Sequence, residues 1–131
     1  MPQENVDAFR RAAQAISSGD VETALGIVTD DVVVRALRSG VEGEYRGRAG
    51  VRRFFADNAE NFDIFRLDYE DVRDLGDRVL AIGSIHIRGK GGGVETDFPS
   101  AGIATFRDGK LVRWEDFRER RLAVEAAGLA E

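Results

Sequence analysis

The chain contains no cysteine, which excludes disulfides, thiolate nucleophiles and cysteine-based metal sites. It has one histidine, His86. A transition-metal site would therefore have to be built almost entirely from carboxylates, a donor set that suits such metals poorly. No metal and no cofactor is expected. Long apolar runs are missing too. The longest span a few residues, such as Val32-Val33-Val34, against the roughly 20 that a membrane-spanning helix requires, so no membrane partner is expected. The first residues, Met1-Pro2-Gln3-Glu4-Asn5, lack the basic and apolar stretches of a secretory leader, and the expected location is the cytoplasm. Nor is there an excess of positive charge. Lys and Arg number 19 against 24 Asp and Glu, a net charge of −5. Neutralising phosphates requires a basic face, whereas the arginines at Arg10-Arg11, Arg52-Arg53 and Arg118 to Arg121 are interleaved with or close to acids. Nucleic acid is not an expected partner.

What is present describes one domain over residues 1–131, with apolar residues at 43% and charged residues at 33%, ordinary values for a water-soluble fold. Val6, Phe9, Ala13 and Ile16 form a single stripe at helical spacing, predicting a first helix from about Glu4 to Ser18. Gly19 supplies a left-handed cap, and Asp20 at once N-caps a second helix whose Val21, Ala24, Leu25 and Val28 face one way. Val32 to Leu37 is β-branched enough to be a strand. Gly40, Gly43 and Gly47 break the chain before a third helix, about Ala49 to Glu60, with Val51, Phe54, Phe55 and Asn58 on one face. Four further strands follow: Ile64 to Leu75, Arg78 to Arg88, Val94 to Phe106 and Leu111 to Arg118. Their turns are Gly76-Asp77, the Gly89–Gly93 run and Asp108-Gly109, the last a strong hairpin signal. The Gly89–Gly93 run lacks the strand–loop–helix setting and the trailing Lys-Ser/Thr of a phosphate loop. A final helix, Arg121 to Ala127, ends at Gly128 with Leu129 beyond, the pattern of a hydrophobically sealed cap. Helices first and hairpin-linked strands after them predict an α+β fold, a cone-like curved mixed or antiparallel sheet wrapped around the N-terminal helices.

Several of these features together resemble the SnoaL-like family. They are the Gly19-Asp20 break, Asp30-Asp31 before a valine-rich strand, and Tyr45-Arg46-Gly47-Arg48 leading into Val51 and Phe54-Phe55. Leu75-Gly76-Asp77-Arg78-Val79, the Phe106 to Val112 hairpin and the Ala126-Ala127-Gly128-Leu129 ending complete the set. The resemblance spans almost the whole chain and implies the cone-shaped α+β barrel shared with ketosteroid isomerase, scytalone dehydratase and limonene epoxide hydrolase. It also implies a homodimer. Fold does not decide function, so the isomerase chemistry has to be tested residue by residue. That chemistry uses a carboxylate base and an oxyanion hole made of a tyrosine and a carboxylic acid kept protonated by its apolar setting. Registered on Gly19-Asp20 and Asp30-Asp31, the tyrosine position falls on Ala12 and the base on Ala36. The supporting hydroxyls fall on Val28 and Phe55, and the neutral acid near Pro99 or Ser100. This set cannot perform the isomerisation.

The last strand carries more chemistry. Alternation separates Val112, Trp114, Asp116 and Arg118 from Leu111, Arg113, Glu115 and Phe117, and the resemblance turns the first set toward the cup. An inward Asp116 beside Trp114 is the candidate acid–base residue, as SnoaL-like cyclisation by a last-strand aspartate implies. A structural pairing of Asp116 with Arg118 or Arg120, and the opposite phase with Glu115 inward, are the alternatives. Trp114, Tyr45, Phe55 and Arg118 are the candidate ligand-binding residues, with packing of Tyr45 on Val51 or Phe54 as its other role. His86 shares a polar strand face with Ser84 and Arg88, which reads as solvent or dimer surface or, less simply, as catalytic. Two function classes follow. One is a protein that binds a small apolar molecule without the isomerase set. The other is a lyase, isomerase or hydrolase acting on a small hydrophobic, polyketide- or terpenoid-like substrate through Asp116. The expected homodimer joins strand faces carrying Leu80, Ile82 and Phe117, since a broad apolar face rarely stays exposed on a monomer.

Overall fold

In the computed structural model, which describes residues 3–37 and 43–129, helix α1 spans Glu4–Ser18 and buries Ala8, Phe9, Ala12, Ala13 and Ala15 along one side. It stops where expected. Gly19 takes φ 74° and the Asp20 N–H donates back to the Ala15 carbonyl at 2.9 Å, the wrap that satisfies carbonyls left free at a helix end. The Asp20 carboxylate then accepts from the Thr23 N–H at 3.2 Å and the Thr23 hydroxyl at 2.6 Å, capping α2, Val21–Leu25.

Helix α2 is shorter than expected. Instead of extending to Val28, the chain turns at Gly26 and enters strand β1, Val28–Arg35. The β-branched Val28 aligns with Leu111 of the last strand, and that ladder outcompetes one more helical turn. Among the three expected glycine breaks, Gly40 lies outside the described residues. Gly43 and Gly47 have φ of 89° and 70°, a backbone region where a side chain is strained. A two-residue strand that periodicity does not predict, β2 at Tyr45–Arg46, pairs with β1. Gly47 opens helix α3, Gly47–Asn61, whose buried face contains Val51, Phe54, Phe55 and Asn58.

Strands β3 (Phe62–Asp74), β4 (Arg78–Gly89), β5 (Glu95–Arg107) and β6 (Lys110–Phe117) follow. Asp108 and Gly109 both have positive φ, 53° and 78°, the turn whose twist matches a β-hairpin. The six strands form one mixed, curved and unclosed sheet in the order β2-β1-β6-β5-β4-β3, with only β1–β6 parallel. Helices α1 to α3 pack on its inner face over a core that includes Phe9, Val32, Phe54, Ala104 and Trp114.

The outer face differs from expectation in one respect. Helix α4, Arg120–Ala126, lies across it, and Ala123, Val124 and Ala127 cover Leu80, Ala101 and Ile103. Leu80, expected as part of an exposed convex surface, is 0% exposed. The amphipathic C-terminal segment buries that apolar strip within its own chain. Its end is fastened by the Leu129 N–H on the Val124 carbonyl at 3.1 Å, and Leu129 packs onto the same cluster. Among the described residues, no helix is long and apolar enough to cross a membrane.

Candidate functional site

Between the helices and the inner sheet face lies a narrow apolar cavity. Ala12 and Ile16 come from α1, Phe54 and Phe55 from α3, and Phe65 and Leu67 from β3; Leu111, Trp114 and Asp116 reach in from β6. Its clear space is about 30 Å³. A water needs at least about 10–15 Å³ on that measure, so the cavity takes roughly two waters before any side chain moves. Asp116 is the one ionisable group on its lining among the described residues.

Trp114 and Asp116 form a unit. Both project from the same face of β6, two residues apart. The indole Nε1–H donates to Asp116 Oδ1 at 2.8 Å, and the indole, 4% exposed, stacks on Phe9 with centroids 4.8 Å apart and planes at 20°. Glu115 points the other way, within 4 Å of Arg35 (3.9 Å) and Arg113 (3.6 Å). Simple alternation fails at the start of the strand. A register shift between Thr105 and Phe106 turns Leu111 inward, into the core and onto the cavity lining, because a bulge reverses the facing of the residues beyond it.

The other sequence-selected residues do not all converge here. Phe55 lines the cavity. Tyr45 stands behind it: its hydroxyl donates to Asp57 at 2.7 Å, its ring meets Phe54 edge-on at 5.3 Å, and the Arg53 guanidinium lies 4.8 Å above the ring. Arg118 follows the end of β6 and borders a separate open groove of about 450 Å³ with Leu37, Phe98 and Pro99. His86 is on the outer face, with Nδ1 2.7 Å from Asp97 and Nε2 2.9 Å from Glu95. The Asp97 carboxylate, helped by Glu95, pushes the imidazole pKa above its ordinary value despite opposing desolvation. Among the described residues, no group of three or more His, Asp or Glu side chains is placed to hold a metal ion.

One inner-face residue escaped sequence reasoning, and a second, Ser100, entered it only as a place near which the isomerase's neutral acid falls. Tyr69 packs its ring against Phe9 at 5.2 Å and near Trp114 at 6.4 Å. Its hydroxyl is buried without a hydrogen-bond partner among the described residues, as is the Ser100 hydroxyl. Burial first, and the negative charge of Asp116 second, hold the Tyr69 pKa well above the ordinary phenol value, so it is a neutral O–H donor. The alternation Phe65, Leu67, Tyr69 along β3 was the available signal.

Residues 9–114 match the SnoaL-like domain model. The chain belongs to this family. Solved structures agree in fold. TerC, co-crystallised with polyporic acid, is 23% identical with a TM-score of 0.75 over 95% of this chain and 98% of its own. A putative SnoaL-like polyketide cyclase from Shewanella denitrificans is 18% identical with a TM-score of 0.75, covering 92% and 94%. RV0760c from Mycobacterium tuberculosis, in complex with estradiol-17beta-hemisuccinate, is 16% identical with a TM-score of 0.75, covering 90% and 95%. Among curated proteins, none matches significantly. At these identities the likeness shows a shared fold; the ligands belong to those proteins.

Proposed function

We propose that this SnoaL-like protein binds a small, mostly apolar molecule in the cavity between its helices and the inner sheet face, with Trp114 and Phe55 in contact and Asp116 toward the ligand's polar end. The observation that carries the reading is the lining itself: among the described residues, a wall of aliphatic and aromatic side chains with a single carboxylate on it. Binding sites of this kind combine apolar area for affinity with few polar groups for orientation. The isomerase positions Ala12, Ala36, Val28 and Phe55 carry no group able to move a proton. A ligand larger than the present clear space enters by displacing wall side chains, and the open groove beside Arg118 is a second place where it can rest. A cytoplasmic homodimer belongs to the same reading, formed through the outer-face strand residues that α4 leaves half-exposed, Ile82 and Phe117.

The sole tryptophan makes the test direct. Titrating alicyclic hydrocarbons should change Trp114 emission with saturation; a flat response across the series, with the protein folded by circular dichroism, counts against the pocket. Light scattering at micromolar concentration checks the dimer, and a monomer refutes it.

A second reading is favoured by the paired placement of Asp116 and the buried Tyr69 hydroxyl, a base and a donor on one face. In it, Asp116 is the acid–base residue for cyclisation, isomerisation or elimination on a small hydrophobic substrate. Asp116→Asn should then abolish turnover while the melting temperature stays near wild type.

A further inference from the structure

The cavity meets, end to end, a groove between the C-terminal ends of α1 and α3 and the start of β3. On α1, Ala12 lines the cavity, Ile16 lines both spaces and Gly19 lines the groove. On α3 the same order runs Val51, Phe55, Ala59, one turn apart and so stacked along one helix face. On β3 it runs Leu67, Phe65, then Phe62 and Asp63 at the start of the strand. Three elements thus each place one apolar side chain at the boundary: Ile16, Phe55 and Phe65. Together they form a constriction, with about 30 Å³ of clear space on the inner side and about 200 Å³ on the outer. Ser18, Gly19, Ala59 and Asp63 on the outer side are exposed, so the groove opens to solvent. Among the described residues, the groove over Phe9 and the one beside Phe117 meet the cavity at a single lining residue each, Leu67 and Asp116.

Two sides of the constriction are held in place. Ser17 Oγ accepts from the Leu67 N–H at 3.0 Å, which ties the end of α1 to β3. Ile16 is β-branched and stiff at χ1. Phe65 sits between Phe54, at 6.2 Å and 90°, and Phe62, at 5.4 Å and 49°. Phe55 is held less. Among the described residues its one ring contact is an edge-on meeting with Phe54 at 6.0 Å. The next residue along its helix face, Ala59, presents only an exposed methyl. A helical phenylalanine has two χ1 wells open to it, so the Phe55 ring can leave the constriction while α1 and β3 stay fixed.

We propose that ligands reach the cavity through this groove, and that Phe55 is the gate residue that sets the girth of the molecule admitted. Its swing joins the inner space to the outer one; without it the cavity takes roughly two waters. A single six-membered ring passes once Phe55 has turned. A fused cage does not, because Ile16 and Phe65 remain. The inference rests on the proposal that the cavity binds a ligand at all.

The test measures association and dissociation rates of cyclohexanol from line shapes of the Trp114 indole N–H resonance, in the wild type, Ala59→Phe and Phe55→Leu. Ala59→Phe puts a ring on the exposed side of the constriction, where it obstructs the groove without touching the cavity or the core. It should slow both rates about fivefold and leave Kd within about twofold, the mark of an obstructed route rather than a lost contact. Phe55→Leu should speed both rates and give saturable binding of adamantan-1-ol, which the wild type rejects. Unchanged rates in Ala59→Phe overturn the route, and a Kd that weakens through dissociation alone overturns it too, since the groove would then be a binding contact. Rates untouched by Phe55→Leu, or adamantan-1-ol binding to the wild type, overturn Phe55 as the gate. In each of these cases the cavity reading stands. If cyclohexanol does not bind the wild type, the gate falls together with that reading.

Discussion

Gly102 and Asp116 face each other across the β5–β6 ladder, and the absence of a side chain at Gly102 leaves the carboxylate its place beside the indole. A methyl at Gly102 would stand 3.2 Å from Asp116 Oδ1 and 3.7 Å from Trp114 Nε1. Gly102→Ala should therefore shift the carboxylate by a few tenths of an ångström against the indole, change Trp114 emission and destabilise the fold by about 1 kcal/mol through overpacking. Urea denaturation and emission spectra check this, and an unchanged spectrum would show that the pair has room to spare.

The acceptor role of Asp116 separates two substitutions. Asn retains an oxygen for the indole N–H, so Asp116→Asn should stay within about 1 kcal/mol of wild type, whereas Asp116→Leu leaves the N–H buried and unpaired and should cost about 1–3 kcal/mol. Denaturation midpoints decide between this order and its reverse.

The elements that carry local chemical signals were legible in the sequence. The caps at Gly19-Asp20 and Gly128, and the Asp108-Gly109 turn, depend on residues a few positions apart. Trp114 and Asp116 share a face because alternation holds along most of β6. What was not legible depends on distant partners. β1 starts at Val28 because β6 lies beside it. The shift at Thr105/Phe106 that turns Leu111 inward leaves no local mark. Leu80 looked like an exposed residue until α4 covered it.

Tyr45 should act through packing. Tyr45→Phe removes the 2.7 Å bond to Asp57 and keeps the ring contacts, so it should lower stability by about 0.5–1.5 kcal/mol and leave the Trp114 response to ligands unaltered. A loss of ligand response at unchanged stability would move Tyr45 to the cavity.

His86 should make stability depend on pH in a defined direction. Its pKa is raised in the folded state above the ordinary 6.5, so its contribution is complete below about pH 6.5 and is lost as pH rises through the raised value. Melting temperatures of wild type and His86→Gln should differ most at the acid end of that window and converge above it. A difference that grows toward alkaline pH would contradict the pairing with Asp97 and Glu95.

The most direct measurement of the central claim follows the single indole N–H resonance of Trp114 in a ¹H–¹⁵N spectrum while cyclohexanol is added. The account predicts a saturable shift of that resonance, accompanied by Leu67 and Leu111 amides from the cavity lining, and a different shift in Asp116→Asn. An unmoved indole resonance, with changes confined to outer-face residues such as His86 and Ile82, would contradict it.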